Sequence, residues 1–230
     1  MPPVAPGMTI VATLAGLLAT LASAAHGSTL LVAVPPGAVF KLTGTPIVVD
    51  GVNLRLTSTG AGAVLDAQHL SRCIEVQNEG VAQLENFHLR NGRVIDRPGG
   101  CALVNGSQST LTLEGGSLVS CESLMDQFVP PRVSLHGGPY GEVWEASGGG
   151  VAVGYGARVA IQSALFEDCG SSLYGGGVFA YQGADVVVRG TDFKQCNAAF
   201  GGGVASFSAG TQVLVAGCSI IGSDVLWNVG

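Results

Sequence analysis

The sequence predicts an all-β solenoid built from parallel coils. One sequence pattern occurs three times between Gly148 and Trp227, and each copy begins with three glycines, at Gly148, Gly175 and Gly201. The period is 27 and then 26 residues, and self-similarity at a fixed period is typical of repeat architectures. Within each copy, short valine-rich runs alternate with Gly, Ser, Asp and Asn, which predicts strands separated by turns. Because one copy is too small to close a core alone, stacked copies must share an apolar column.

The same period extends towards the N terminus. Earlier coils are predicted to open at Gly44, Arg72 and Gly99, so that six coils and one insertion account for residues 44–227. Ahead of them, residues 29–34 form an apolar run that Pro and Gly end, which predicts a buried entry strand.

The predicted organisation is therefore a single domain over residues 1–230. A capping helix and the entry strand occupy residues 1–43, and a loop insertion occupies residues 125–147.

Residues 9–25 are the one helical candidate, and two interpretations compete. Five apolar side chains recur at helical spacing, which suits a helix lying across the first coil; they are Ile10, Leu14, Leu17, Leu18 and Leu21. The apolar run followed by Ala22-Ser23-Ala24 also resembles a secretory signal peptide, which would place the protein outside the cell or on its surface. No Lys or Arg precedes Lys41, so the positive segment of a signal peptide is missing and the capping helix is favoured. The run is short for a membrane span.

Composition excludes two classes of protein. With 47% hydrophobic and 11% charged residues, the chain has enough apolar material to bury a core, unlike a disordered protein. A net charge of −6, without any basic run, argues against a nucleic-acid partner.

The triple glycines are not a dinucleotide-binding motif because no helix follows them. No cofactor or metal is predicted.

Aligning the coils places the cysteines in two columns. Cys121, Cys169 and Cys196 fall at one position of successive coils, and Cys73 and Cys101 fall at another. Neighbouring coils lie about 4.8 Å apart, within the Cα range of a disulfide, but equivalent side chains point the same way. We expect an inward ladder of reduced thiols, with disulfides as the alternative.

The same alignment brings one pair of carboxylates together. Glu85 and Glu114 are predicted to lie on adjacent coils, which makes them the weak candidates for catalytic residues. Glu167 aligns with Lys194, and Asp192 aligns with Leu165 and Ser219 and so has no acidic neighbour. A further carboxylate, Asp66, is interpreted as a turn residue.

The insertion is the candidate ligand-binding loop. Long loops on rigid scaffolds often carry binding residues. An exposed tryptophan with polar neighbours suits the face of a sugar, although packing of Trp144 on the coil beneath is the favoured alternative. The candidate binding residues are Arg132, His136, Tyr140, Glu142 and Trp144.

Two of the repeat phrases carry a family resemblance. Phe166-Glu167-Asp168-Cys169 and Phe193-Lys194-Gln195-Cys196, each followed by Gly-Gly-Gly-Val, resemble the repeats of polymorphic outer-membrane proteins. In those repeats an Asn stands where this chain has Cys169 and Cys196. More broadly, the chain resembles the right-handed parallel β-helix superfamily of pectate-lyase type, and this resemblance implies a right-handed helix. Enzymes of that superfamily work through clustered acids, which the present alignment does not predict beyond the Glu85 and Glu114 pair.

The function expected from this resemblance is a non-catalytic surface or extracellular scaffold that binds a glycan or a cell-surface partner. A lyase or hydrolase acting on acidic polysaccharide is the alternative, and an inactive remnant of a larger repeat protein is a third possibility. Solenoids need capped ends to avoid edge pairing, so end-to-end self-association or continuation into a longer β-helix is also expected.

Overall fold

The computed structural model describes residues 9–126 and 146–223 and confirms the predicted fold class. The chain winds into a right-handed parallel β-helix of about 7 turns, with one short helix at its start. It has one more turn than the six that the period predicts. The difference arises because the entry strand pairs in parallel with the strand at Asn53–Ser58 and is therefore the first coil itself.

One helix, α1, spans Leu14–Ala22. The strands in chain order are β1 (Thr9–Ile10), β2 (Thr29–Val34), β3 (Val39–Lys41), β4 (Ile47–Asp50), β5 (Asn53–Ser58), β6 (Ala63–Asp66), β7 (Ile74–Gln77), β8 (Val81–Glu85), β9 (Phe87–Arg90), β10 (Arg93–Ile95), β11 (Ala102–Asn105), β12 (Thr110–Glu114), β13 (Ser117–Val119), β14 (Glu122–Leu124), β15 (Val151–Gly154), β16 (Arg158–Gln162), β17 (Leu165–Glu167), β18 (Gly170–Ser171), β19 (Val178–Tyr181), β20 (Asp185–Arg189), β21 (Asp192–Lys194), β22 (Val204–Phe207), β23 (Gln212–Ala216) and β24 (Ser219–Ile221).

These strands form three long sheets and one short one. The sheets have eight, seven, six and three strands, and neighbouring strands come from successive coils. The eight-stranded sheet runs β1-β2-β5-β8-β12-β16-β20-β23, and the six-stranded sheet runs β22-β19-β15-β11-β7-β4. The seven-stranded sheet runs β24-β21-β17-β13-β9-β6-β3, and the short sheet is β10-β14-β18.

The interior is a set of vertical columns, because alternate side chains of every strand point inwards. One column in the seven-stranded sheet shows this well: six of its members are in register and buried, and they are Phe40, Leu65, Leu89, Leu118, Phe166 and Phe193. The rings of Phe166 and Phe193 stack with their centroids 4.8 Å apart. Burial of such columns is the main source of stability in this fold.

The N-terminal helix covers the first coil, as the capping interpretation predicts. The Thr13 side chain accepts a hydrogen bond from the Gly16 N–H at 3.1 Å and caps the helix. Leu17 is buried in the core, and Leu14 and Leu21 pack beside it. The helix is shorter than predicted, since Thr9 and Ile10 instead form β1, which pairs with β2. Ile10 and Leu18 are exposed.

The triple glycines let consecutive coils approach closely. In each triplet the first glycine has a left-handed backbone, with φ of 70° at Gly148 and 62° at Gly175. The Gly149 N–H donates to the Gly175 carbonyl and the Gly150 N–H donates to the Gly176 carbonyl, both at 3.0 Å. A Cβ at Gly150 would lie 2.7 Å from the Phe166 ring. The glycines are therefore required by the stacking.

The cysteines occupy the predicted columns, but the expected ladder of reduced thiols is wrong for two of them. Cys101 and Cys121 form a disulfide with a Cα–Cα distance of 5.3 Å. The bond joins the two columns across one coil, whereas the alignment considered bonds between coils. Cys101 is in line with Gly150 of the next coil, where a Cβ would meet the Phe166 ring. The coil of Cys101 has Leu118 in place of that ring.

The remaining described thiols are free, and three of the four are buried: Cys73, Cys169, Cys196 and Cys218, the last being half-buried. Burial raises the pKa of the Cys73 thiol to about 12. Burial also raises the pKa of Cys169, and the neighbouring Cys196 raises it further.

We expect only Cys218 to react with iodoacetamide in the native protein, because Cys73, Cys169 and Cys196 are buried out of reach of the reagent. This holds for Cys196 even though its hydrogen bond with Cys169 lowers its pKa. Unfolding without a reductant should expose four thiols, and unfolding with a reductant should expose all six cysteines. Mass spectrometry after labelling counts the sites. Six labelled cysteines in the unreduced, unfolded protein would show that the disulfide is absent.

Candidate functional site

A groove lies on the outside of the helix where two successive coils differ in length. The connection from Arg90 to Ala102 is four residues longer than the equivalent one from Asp66 to Ile74 in the coil below. The longer connection contains β10, the first strand of the short sheet, and the coil below has no strand there. The resulting step leaves a cavity of about 610 Å³.

Three arginines line this cavity, which we call the arginine groove: Arg72, Arg93 and Arg97. Arg72 is nearly buried, and its Nη1 lies 3.0 Å from a Glu75 carboxylate oxygen. Burial lowers the pKa of Arg72, Glu75 raises it, and the charge of Arg97 lowers it. The guanidinium nonetheless stays charged at neutral pH.

The other two arginines are more exposed. Arg93 Nε lies 3.7 Å from a Glu122 carboxylate oxygen, and both side chains are about half exposed, so this pair contributes little stability. Arg97 lies on the exposed rim and forms no ion pair within 4.0 Å with the part of the chain that the structure describes. The lining thus holds three arginines and one carboxylate, which gives local positive charge on a protein of net charge −6.

The groove also exposes apolar surface. Leu70 is 62% exposed and Ile95 is 48% exposed, and both line the cavity together with Pro46. Guanidinium groups beside apolar walls suit a ligand that carries oxyanions on a partly apolar frame.

A hydrogen-bonded turn holds the floor of the groove in place. Asp66 forms an ion pair with Arg90 at 3.0 Å and accepts hydrogen bonds from the Asn91 side chain and the Gln68 N–H. Burial raises the pKa of Asp66, but these three donors outweigh it and hold the pKa below its usual value. The His69 N–H donates to the Asn91 carbonyl at 2.7 Å, which joins the turn to the coil above. Asp66 is the last residue of β6 and not, as the sequence predicts, part of the turn itself, but its side chain accepts a hydrogen bond from the turn that follows.

The predicted acidic pair lies elsewhere on the surface. Glu85 of β8 and Glu114 of β12 are in register on adjacent strands, as the alignment predicts. Glu85 also lies 3.3 Å from Arg55 in an exposed ion pair. Both strands belong to the eight-stranded sheet, whereas the groove lies between the short sheet and the six-stranded sheet. The structure therefore does not bring this pair to the groove.

The predicted loop residues Arg132, His136, Tyr140, Glu142 and Trp144 lie outside the described residues. The other alignments are confirmed: Glu167 pairs in register with Lys194, and Asp192 lies between Leu165 and Ser219.

Sequence reasoning missed the arginine groove, although a signal was present. Four arginines lie between residues 72 and 97, in a chain that has only ten Lys and Arg residues in all. Three of the four, Arg72, Arg93 and Arg97, converge because two successive coils differ in length. An alignment by period treats that difference as a gap.

The described residues hold neither a metal-binding cluster nor a membrane-spanning helix. Within residues 9–126 and 146–223, no three side chains of His, Cys, Asp or Glu are grouped so that they could hold a metal ion. The same ranges contain no helix with the length and apolar character needed to span a bilayer.

Comparison of the chain with protein-family models, curated proteins and solved structures finds no match to any of them. The fold and the groove alone define the class to which this chain can be assigned. It is a parallel β-solenoid that carries an arginine-lined groove on its side.

Proposed function

We propose that this chain is a non-catalytic binding module, on a surface or outside the cell, whose arginine groove holds an acidic saccharide. The observation that carries the proposal is the convergence of Arg72, Arg93 and Arg97 on one groove of an otherwise acidic protein. Guanidinium groups bind carboxylate or sulfate oxygens with paired, charge-assisted hydrogen bonds. Leu70 and Ile95 supply apolar surface for the carbon faces of the sugar rings.

The resemblance to pectate-lyase-type β-helices and to outer-membrane repeats supports the same proposal, because it implies contact with glycans or cell surfaces. A rigid solenoid is also a suitable frame, since the groove is built on strands and on a turn that hydrogen bonds hold in place.

Binding should depend on Arg97 more than on any exposed arginine away from the groove. Arg97→Gln removes the charge that no described carboxylate neutralises, and we expect it to weaken binding of an oligogalacturonate by at least about tenfold, since a charge-assisted hydrogen bond contributes about 1.5–3 kcal/mol. Isothermal calorimetry at low ionic strength measures the change. The affinity of the wild type should fall as salt is added.

The matched control is Arg158→Gln, which removes an exposed arginine from β16 on the eight-stranded sheet. It should bind as the wild type does, and a neutral oligogalactoside of equal length should not bind. Equal weakening by both substitutions, or equal binding of the neutral sugar, would refute a specific site in the groove.

The alternative is an enzyme that cleaves acidic polysaccharide with Glu85 and Glu114, and the register of these residues is the observation in its favour. Incubation with polygalacturonate and analysis of fragment length tests it. Cleavage by the wild type that Glu85→Gln or Glu114→Gln abolishes would replace the proposed function with this one.

A further inference from the structure

The turn between β11 and β12 contains an acceptor motif for N-linked glycosylation. Asn105, Gly106 and Ser107 form an Asn-X-Ser triplet without Pro in the middle, which is the pattern that this modification requires. Asn105 is the one asparagine of the sequence that has Ser or Thr two positions later. Because an oligosaccharide is bulky and hydrophilic, the fold can carry one only where the acceptor residue faces solvent.

The structure places this motif on the outside of the solenoid. Val104 is buried in the core, and alternation along the strand turns the half-buried Asn105 to the outer face. Gly106 has a left-handed backbone with φ of 93°, and Ser107 after it is exposed. On the next coil Asn105 is in register with Gly154, which has no side chain to cover it. A sugar joined to Asn105 therefore has an open path to solvent.

The side-chain amide of Asn105 is not part of the hydrogen-bond network of the fold. Among the residues that the structure describes, none forms a hydrogen bond with it. Gln77, at the equivalent position of the coil below, donates instead to Asp50 at 3.1 Å. Asn78 also donates to Asp50, and the Asn91 side chain donates to Asp66. Modification of Asn105 would break no such contact.

This position also leaves the arginine groove open. The groove borders the six-stranded sheet where its strands begin, since Arg72 lines the groove and lies just before β7. Asn105 is the last residue of β11, which runs parallel to β7 beside it. The acceptor and the groove therefore lie at opposite edges of the same sheet, and a glycan on Asn105 is compatible with a ligand in the groove.

A disulfide in the same coil points to the compartment in which this modification occurs. Cys101, immediately before β11, is bonded to Cys121. Disulfides persist in secreted proteins and in the lumen of the endoplasmic reticulum, where N-linked glycans are also added. We propose that Asn105 carries an N-linked oligosaccharide. This inference rests on the part of the proposed function that places the chain on a surface or outside the cell.

The modification is a glycosyl transfer from an oligosaccharide that is joined to a lipid through a diphosphate. The amide nitrogen Nδ2 of Asn105 attacks the anomeric carbon of the first sugar, and the bond from that carbon to the diphosphate oxygen breaks. The lipid diphosphate leaves with the bonding electron pair, and the amide gives up one proton as the new C–N bond forms. Ser107 is the second residue that the transferase recognises, so both side chains are required.

Translation of the full chain in the presence of membranes from the endoplasmic reticulum tests this proposal. We expect chains that the membranes protect from added protease to migrate more slowly on a gel, and a peptide N-glycosidase to reverse this shift. The glycosidase converts glycosylated Asn105 to Asp. Mass spectrometry after digestion in isotopically labelled water separates that change from spontaneous loss of the amide next to Gly106. Asn105→Gln and Ser107→Ala should each abolish the shift completely.

Asn78→Gln is the matched control, because Asn78 is an exposed asparagine on the turn of the coil below and has Gly80 two positions later. It should be glycosylated as the wild type is. Protected wild-type chains without the shift, or a shift that survives Asn105→Gln, would overturn the proposal. Chains that stay unprotected would overturn it together with the location that it shares with the proposed function. Asn105→Gln should still bind oligogalacturonate, so a failure of this inference is distinguishable from a failure of the groove.

Discussion

Replacing Gly150 by alanine is expected to lower the free energy of unfolding by about 3 kcal/mol, which corresponds to a fall in melting temperature of about 6–12 °C for a chain of this size. The new Cβ would lie 2.6 Å from the Gly177 carbonyl oxygen and 2.7 Å from the Phe166 ring. Neither neighbour can move aside, because the carbonyl belongs to the next coil and the ring is stacked in the core. Thermal and chemical denaturation measure the loss.

Gly170→Ala is the matched control for this prediction. Gly170 also lies in an extended segment, but a Cβ there would have its nearest neighbour at 4.0 Å. Both sites lack a left-handed backbone, so the comparison isolates the steric clash from backbone strain. We expect Gly170→Ala to change the stability by about 0.5 kcal/mol or less. Similar losses in the two variants would mean that the coils are not in close contact at Gly150.

Removing the ring of Phe166 should cost about 3–5 kcal/mol of stability, the usual loss when a buried phenylalanine becomes alanine. Phe166 is fully buried between Leu118 and Phe193 in the inward column, and its ring stacks on that of Phe193. Phe166→Ala therefore leaves a cavity that the rigid coils above and below cannot fill. Equilibrium unfolding in guanidinium chloride measures the difference from the wild type.

Phe166→Leu is a natural control, because Leu118 and Leu89 occupy the same position on the two coils below. We expect it to cost about 1 kcal/mol, since most of the apolar volume is retained. A loss equal to that of Phe166→Ala would indicate that ring stacking, and not the filled volume, stabilises this column.

The register of the coils could be predicted from the sequence. The alignments of Glu85 with Glu114 and of Glu167 with Lys194 are confirmed, and so is the column of Cys121, Cys169 and Cys196. They could be predicted because a parallel solenoid converts a fixed period along the chain into vertical neighbours in space.

Features that depend on departures from the period were missed. The arginine groove exists because one connection is four residues shorter than the next. The Cys101–Cys121 disulfide crosses a single coil, so its two residues never align with each other. The repeat period predicts six turns and not seven, because residues 29–34 lack the glycine pattern that marks the later coils.

The sequence by itself determined the all-β solenoid, its period and the vertical neighbours of each side chain, because a repeated pattern specifies equivalent positions without reference to distance. Only the tertiary structure decided which side chains meet across a coil and where Arg72, Arg93 and Arg97 converge. Those contacts depend on the path of the chain around each turn and on the lengths of the connections between strands. The repeat period determines neither.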